Sequence, residues 1–120
     1  MNKNSVNVIL GENEPTTFVA EAFSEVACSF LDDLSKWLRH NKEALDFPDL
    51  MTVAFWCRRA NIEKMKNEFY DGKIHFGRGL LFHIAPSNVP VNFAFSFFFG
   101  LLSGNSNIVR VPSKKFPQID

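Results

Sequence analysis

Apolar residues recur at intervals of three and four from Val19 through Phe23, Val26, Phe30, Leu34 and Trp37, with Ala27, Leu31 and Leu38 on the same side. On a helix that spacing winds into one continuous stripe, and Asp32, Asp33, Lys36 and Arg39 fall outside it. Thr16 and Thr17 precede the stripe and are candidate N-caps, since a hydroxyl oxygen can accept from the free amides of a first turn. Upstream, Val6–Leu10 is a short β-prone run closed by Gly11, and Gly11–Pro15 reads as a turn. After a polar break over Asn41–Pro48, a second helix is expected from Pro48, a residue tolerated in a first helical turn. Leu50, Val53, Ala54, Cys57, Ile62 and Met65 supply its less regular stripe, and Asp71-Gly72 ends it.

From Lys73 the pattern changes. Ile74 and Phe76 form a possible short strand, and Gly77-Arg78-Gly79 turns the chain. Leu80–Ala85 is a continuous apolar run of the buried-strand type. Pro86–Pro90 is a loop, because two prolines exclude a strand or helix interior. Val91–Ser103 has helical length and is stopped by Gly104-Asn105, and Ile108–Val111 is a second β-branched run. Strand, helix and strand in that order make one βαβ unit with parallel strands. The fold class is therefore α/β, with a mainly helical region over 1–72 and the start of a βαβ region over 73–120.

Five of the 14 phenylalanines stand between Phe93 and Phe99. Successive helical residues lie about 100° apart, so these rings point all around the axis and need cover on every side. Core packing against the sheet and residues 1–72 meets part of that need. A groove for an acyl chain, or cover from other sequence, would meet the rest.

Composition narrows the classes further. Hydrophobic residues make up 46% of the 120-residue chain and charged residues 22%, which excludes a disordered chain. The net charge of +0 gives no global field to recruit nucleic acid. Yet residues 1–50 carry four basic and nine acidic groups, and residues 51–120 carry nine and four. An anionic ligand is better placed in the second half. The first residues lack a signal-peptide core, and Cys28 and Cys57 form no C-x-x-C pair, so a reduced, cytoplasmic protein is expected. The apolar stretch Val89–Leu102 is too short and too interrupted to span a bilayer, despite a Gly100-x-x-x-Gly104 spacing.

In open α/β sheets ligands bind beyond the carboxyl ends of the strands. Here those ends read Ala85-Pro86-Ser87-Asn88 and Val111-Pro112-Ser113-Lys114. The Asn88 amide can donate to a developing oxyanion or can cap the following helix. Ser113 and Lys114, with Arg110 and Lys115, can hold ribose or phosphate, or can form a solvated basic turn.

Two motifs in this region, HIAPSNVP over 83–90 and GLLSGNSNIVRVPSK over 100–114, lie in a stretch, Gly77–Asp120, that closely resembles the acyl-CoA reductase family. This is the LuxC-type family of fatty acyl-CoA reductases, a branch of the aldehyde dehydrogenase superfamily. The resemblance implies a Rossmann-like cofactor domain, of which this chain holds the first step. It implies reduction of an acyl thioester to an aldehyde through an acyl-cysteine, with an acyl-CoA or acyl-enzyme donor and an acyl-activating partner protein. Asn88 would match the superfamily asparagine that donates to the thiohemiacetal oxyanion. Ala85, Pro86 and Ser87 would lie along the adenosine side of the cofactor, and Pro112, Ser113 and Lys114 would meet its ribose. Two departures matter: Val111 replaces the superfamily lysine, with Arg110 preceding it, and Lys114 replaces a glutamate that would repel a 2′-phosphate. The second departure favours NADPH.

The family's nucleophilic cysteine is expected well downstream of these motifs, whereas Cys28 and Cys57 precede them on apolar helix faces. The chain is therefore expected to be an inactive N-terminal portion. The alternative is a non-catalytic module, complementing another chain or a second copy of itself through the Phe93–Phe99 helix. His83 is expected as a hydrogen-bonded core residue.

Overall fold

Ser24 opens the first helix, its hydroxyl oxygen accepting from the Ala27 amide at 3.3 Å. The structure is a computed structural model and describes residues 6–86 and 88–119. Helix α1 (Glu25–His40) carries Glu25 in its first turn and Arg39 and His40 in its last, so charge complements the helix dipole at both ends. The expected start at Thr16 and Thr17 is not observed. Residues 16–23 instead form an irregular strap that turns at Ala22 and Phe23. Ser106 Oγ donates to Phe18 O at 2.6 Å, Ala20 N to Gly104 O at 2.8 Å and Phe23 N to Leu102 O at 2.6 Å. These amides find partners on other segments, which removes the reason to wind a helix there. Val6–Leu10 forms no strand either; its residues are exposed.

One 3-10 turn (Ala44–Asp46) leads to α2 (Pro48–Trp56), which begins at the expected proline. The expected single helix breaks at Cys57 and Arg58, where Arg58 is extended, and α3 (Arg59–Glu68) follows. Its first amide, Arg59 N, donates to Asp32 Oδ1 of α1 at 3.1 Å, and the Arg59 guanidinium reaches Glu25 at 2.9 Å. The bend thus exchanges helix continuity for a cap and an ion pair on α1. Ser35, fully buried, donates to Ala54 O at 2.6 Å and ties α1 to α2.

Strand β1 (Leu80–Ile84), helix α4 (Asn92–Leu102) and strand β2 (Ser106–Arg110) form the expected βαβ unit. The strands are parallel, with Leu80 opposite Ser106 and Ile84 opposite Arg110. The molecule is therefore mixed α/β. Ile74 and Phe76, expected as a strand, contribute only an isolated antiparallel bridge from Phe76 to Glu21. Leu81, His83, Asn107 and Val109 take the half-buried positions of the alternating strands. His83 Nδ1 lies 2.8 Å from Ser96 Oγ on α4, and Nε2 lies 2.7 Å from Asn107 Oδ1. Asn107 Nδ2 donates to Asn105 O, so Oδ1 must accept. The proton then sits on His83 Nε2, and Ser96 donates to Nδ1. His83 is the hydrogen-bonded residue its position in an apolar strand implied.

One core serves the whole chain. Ala27, Leu31, Val53, Ala54, Cys57 and Ile62 from the helices join Val91, Phe98 and Leu102 in a single buried cluster. The phenylalanine-rich helix is better covered than expected. Phe98 is 2% exposed and stacks on Trp56 at 5.7 Å, Phe95 meets Trp56 edge-on, and only Phe99, 52% exposed, reaches solvent substantially. The bare surface lies elsewhere. On the sheet face opposite α4, Phe82 is 61% and Ile84 68% exposed, beside Leu80 and Ile108. The Phe93–Phe99 helix is therefore not the uncovered surface that the alternative reading supposed. Gly100 and Gly104 do not serve a membrane dimer here. A Cβ on Gly100 would strike His83 and Asn107, and Gly104 ends α4 at φ +88°. Among the described residues no helix is long and apolar enough to cross a membrane.

Two glycines make a matched test of this packing. Gly11 and Gly104 both have positive φ, but a Cβ on Gly11 meets open space whereas one on Gly104 would collide with the Ala20 carbonyl. Gly11→Ala is expected to cost about 1 kcal/mol and Gly104→Ala about 3 kcal/mol or more, read as shifts of the urea midpoint. Equal costs would show that the close approach contributes nothing.

Candidate functional site

Because β1 and β2 are parallel and in register from Leu80–Ser106 to Ile84–Arg110, their carboxyl ends lie side by side, about 4.8 Å apart. The two polar loops singled out in the sequence therefore leave the same edge. After β1, Ala85 is half-buried and Pro86 exposed; Ser87 lies outside the described residues. Asn88 is exposed in a turn. It does not cap α4: the N-cap is Val91, and no side chain bonds to the first-turn amides. The capping alternative for Asn88 thus fails, and its amide stays at the loop surface. Those uncapped amides leave the positive end of the α4 dipole beside the same loop.

After β2, Arg110 is exposed and in register with Ile84, on the bare face of the sheet. Val111 and Pro112 are half-buried, whereas Ser113, Lys114 and Lys115 are exposed. Lys114 Nζ lies 5.3 Å over the Phe116 ring, a cation–π contact that orders the lysine while leaving its charge in solvent. Gln118 Nε2 donates to Asp49 Oδ2 at 3.1 Å and anchors the tail to α2. The donor set at this edge comprises three cations, a hydroxyl, an amide and a helix N-terminus. That chemistry fits a phosphorylated nucleotide.

Neither cysteine belongs to this edge. Cys28 and Cys57 are buried in the core, and burial pushes both thiols up, Cys57 to about 12. The thiolate is the nucleophile, so neither is poised for acyl transfer. The histidines are occupied: His40 Nδ1 lies 2.7 Å from Lys36 O, and His75 pairs with Asp71 at 2.9 Å. The His75 hydrogen bond holds the Asp71 carboxyl below its usual range.

The open carboxyl edge lies away from two clefts formed by the described residues. Two clefts lie at the amino edge and share Phe23 and Ser103. No pattern along the chain marks them, since their walls come from four separate segments. Phe23, a bulky residue at φ +54°, is the one local anomaly there, and it is a property of the folded backbone alone.

The cysteines supply a check. Native Cys28 and Cys57 are expected to react with a thiol reagent at pH 8 about 100-fold or more slower than in denaturant, limited by opening. The sign for pH follows from the raised native value of Cys57. Its contribution is complete below the unfolded value of 9.0 and is lost as pH climbs from there toward 12. Rapid labelling of the folded chain would show that the thiols are not buried.

The family model described as acyl-CoA reductase (LuxC) matches residues 16–119. No curated protein and no solved structure matches the chain. The matched segment runs from the strap through all four helices and both strands, so the chain belongs to the LuxC acyl-CoA reductase family.

Proposed function

We propose that this chain carries the first part of the cofactor site of an NADPH-dependent acyl-CoA reductase. The observation that carries the reading is the parallel register, which sets the Ala85–Asn88 and Arg110–Lys114 loops on one edge within the family-matched segment. Residues 73–120 begin a Rossmann-like, aldehyde-dehydrogenase-type cofactor region. Within the expected helical region 1–72, α1 to α3 form its cover, packed on α4 through Trp56 and Phe98.

Ala85 and Pro86 line the adenosine side, and Ser87, outside the described residues, is assigned to it from the sequence alone. Pro112 and Ser113 support the ribose, with Arg110 and Lys114 placing positive charge where a 2′-phosphate would sit. When bound, NADPH supplies the hydride that reduces the acyl group. Asn88 serves as oxyanion donor, because its amide is exposed at the edge and is not consumed as the cap of α4. The acyl-accepting cysteine lies outside these 120 residues, since both cysteines present are buried and protonated. The substrate is an acyl thioester, delivered from CoA or from an acyl-activating enzyme.

A second reading keeps one specific observation in view. The bare sheet face with Phe82 and Ile84 favours completion by a further polypeptide layer, because parallel sheets are covered on both sides. A complementing chain bearing the cysteine would unite the two readings.

Calorimetric titration of the purified chain with 2′,5′-ADP and with 5′-AMP tests the cofactor assignment. The 2′-phosphorylated ligand is expected to bind more tightly. Lys114→Glu is expected to remove most of that preference, at a cost of about 1 kcal/mol for an exposed charge contact. Equal binding of both nucleotides by the unaltered chain would overturn the choice of NADPH. The chain alone is expected to oxidise no NADPH with an acyl-CoA; measurable turnover would place the nucleophile within it.

A further inference from the structure

The apolar pattern of α1 is wider than the core it packs on. Ala27, Leu31 and Leu38 are buried in the common core. Val26, Phe30 and Trp37, part of the same pattern in the sequence, are 82%, 47% and 61% exposed. At about 100° per residue these three fall within about 40° of one another, about 100° around the helix from the buried line. They form a second apolar line about 16 Å long, which nothing among the described residues covers. We propose that this line is a self-association surface, on which α1 of a second copy of the chain packs antiparallel.

The helix itself selects that occupant and that direction. Reversal sets the small Val26 of one copy against the large Trp37 of the other at both ends, with Phe30 beside the two-fold axis. Parallel packing would set Trp37 on Trp37 and leave the two Val26 side chains short of each other. Charge points the same way. Glu25 and Lys36 are matched internally by Arg59 and Asp32, at 2.9 and 3.0 Å. Glu21, just before α1, and Arg39 and Lys42, at and just after its end, make no ion pair among the described residues. Antiparallel packing brings the acidic end of each copy to the basic end of the other and opposes the two helix dipoles; parallel packing brings like charge onto like. The pair is isologous and closed, so association stops at two copies. A helix of 16 residues is about 24 Å long and offers less than the roughly 800 Å² per partner of a standard interface, so the dimer is weak and reversible. Asp33 stands in the same exposed line, near the axis and close to its own copy, and opposes the association. The surface is separate from the Asn88 loop and from the bare sheet face, and it stands whether or not the NADPH reading holds.

Sedimentation equilibrium of the full chain tests the surface, with a monomer–dimer equilibrium expected between about 10 μM and 1 mM. Trp37→Ser is expected to weaken the dimer about tenfold or more, the usual effect of removing a central aromatic. Because Trp37 is exposed in the single chain, this variant is expected to keep the Phe98 and His83 resonances of the unaltered protein. Asp33→Asn is expected to tighten the dimer about two- to fivefold, and Lys42→Glu to weaken it by a similar factor. Phe82→Ser on the bare sheet face is expected to change nothing. A chain that stays monomeric up to 1 mM would overturn the proposal and leave the line to a different protein. Dimerisation that survives Trp37→Ser, or that Phe82→Ser abolishes, would place the contact elsewhere and overturn it equally. Lys42→Glu that leaves the dimer unchanged or tighter would exclude the antiparallel order.

Discussion

Three backbones meet without side chains between them where Ala20, Gly77 and Gly104 come together, and the remaining architecture is referred to that junction. Ala20 N donates to Gly104 O, and Gly77 N donates to Ala20 O. A Cβ on Gly77 would overlap the Gly104 carbonyl, and one on Gly104 would overlap that of Ala20. The junction joins the end of α4, the approach to β1 and the strap that feeds α1. Once the strap is held, Phe23 N reaches Leu102 O and α1 can begin only at Glu25. That places the Ala27–Leu31–Leu38 face toward α2 and α3, and it sets Phe23 as the wall common to both clefts.

A second tie fixes α4 over the sheet. Gly100 lets the helix sit against the His83 imidazole, and Ser96 and Asn107 satisfy both ring nitrogens. A polar network at a helix–sheet contact has fewer acceptable geometries than an apolar one, because each donor must find its acceptor. Here it specifies which turn of α4 lies over which pair of strand residues. The N-terminus of α4 is then directed at the loop after β1. The Phe95–Phe98 side is left for Trp56, and the rings that looked excessive in the sequence become the seam between helical cover and βαβ unit.

Legibility in the sequence followed how local each cause was. The βαβ unit was readable to within two residues at each boundary. Buried strands, prolines and Gly104 act on their own neighbourhood, and His83 could be placed from its apolar flanks. The beginning of α1 was not readable, because the partners that draw residues 16–23 into a strap, Leu102, Gly104 and Ser106, lie more than 75 positions away. The break at Cys57 was hidden for the same reason: its compensation comes from Asp32 and Glu25 on another helix. At the candidate site, the two loops and their residues were legible, and their adjacency followed from parallel pairing. The loss of Asn88 as a cap was not, since Val91 takes that position with no signature of its own.

Charge shows why a tally becomes informative only after folding. Residues 51–120 hold nine basic groups, which as a sum invites one anionic ligand. The fold divides them. Arg59 is spent on Glu25, Lys64 pairs with Glu68, and Arg58 lies over the Phe55 ring at 4.9 Å. Arg78 stands at the amino edge, while Arg110, Lys114 and Lys115 gather at the carboxyl edge. At about 8 Å of Debye screening, charges a strand-length apart act on separate ligands. A neutral chain can therefore present two separate groupings of positive charge of different character. One is an open edge with cations, an amide and a helix N-terminus suited to phosphate; the other is a single arginine at the mouth of an apolar slot. The parallel strands hold the two groups of cations apart by the length of β1.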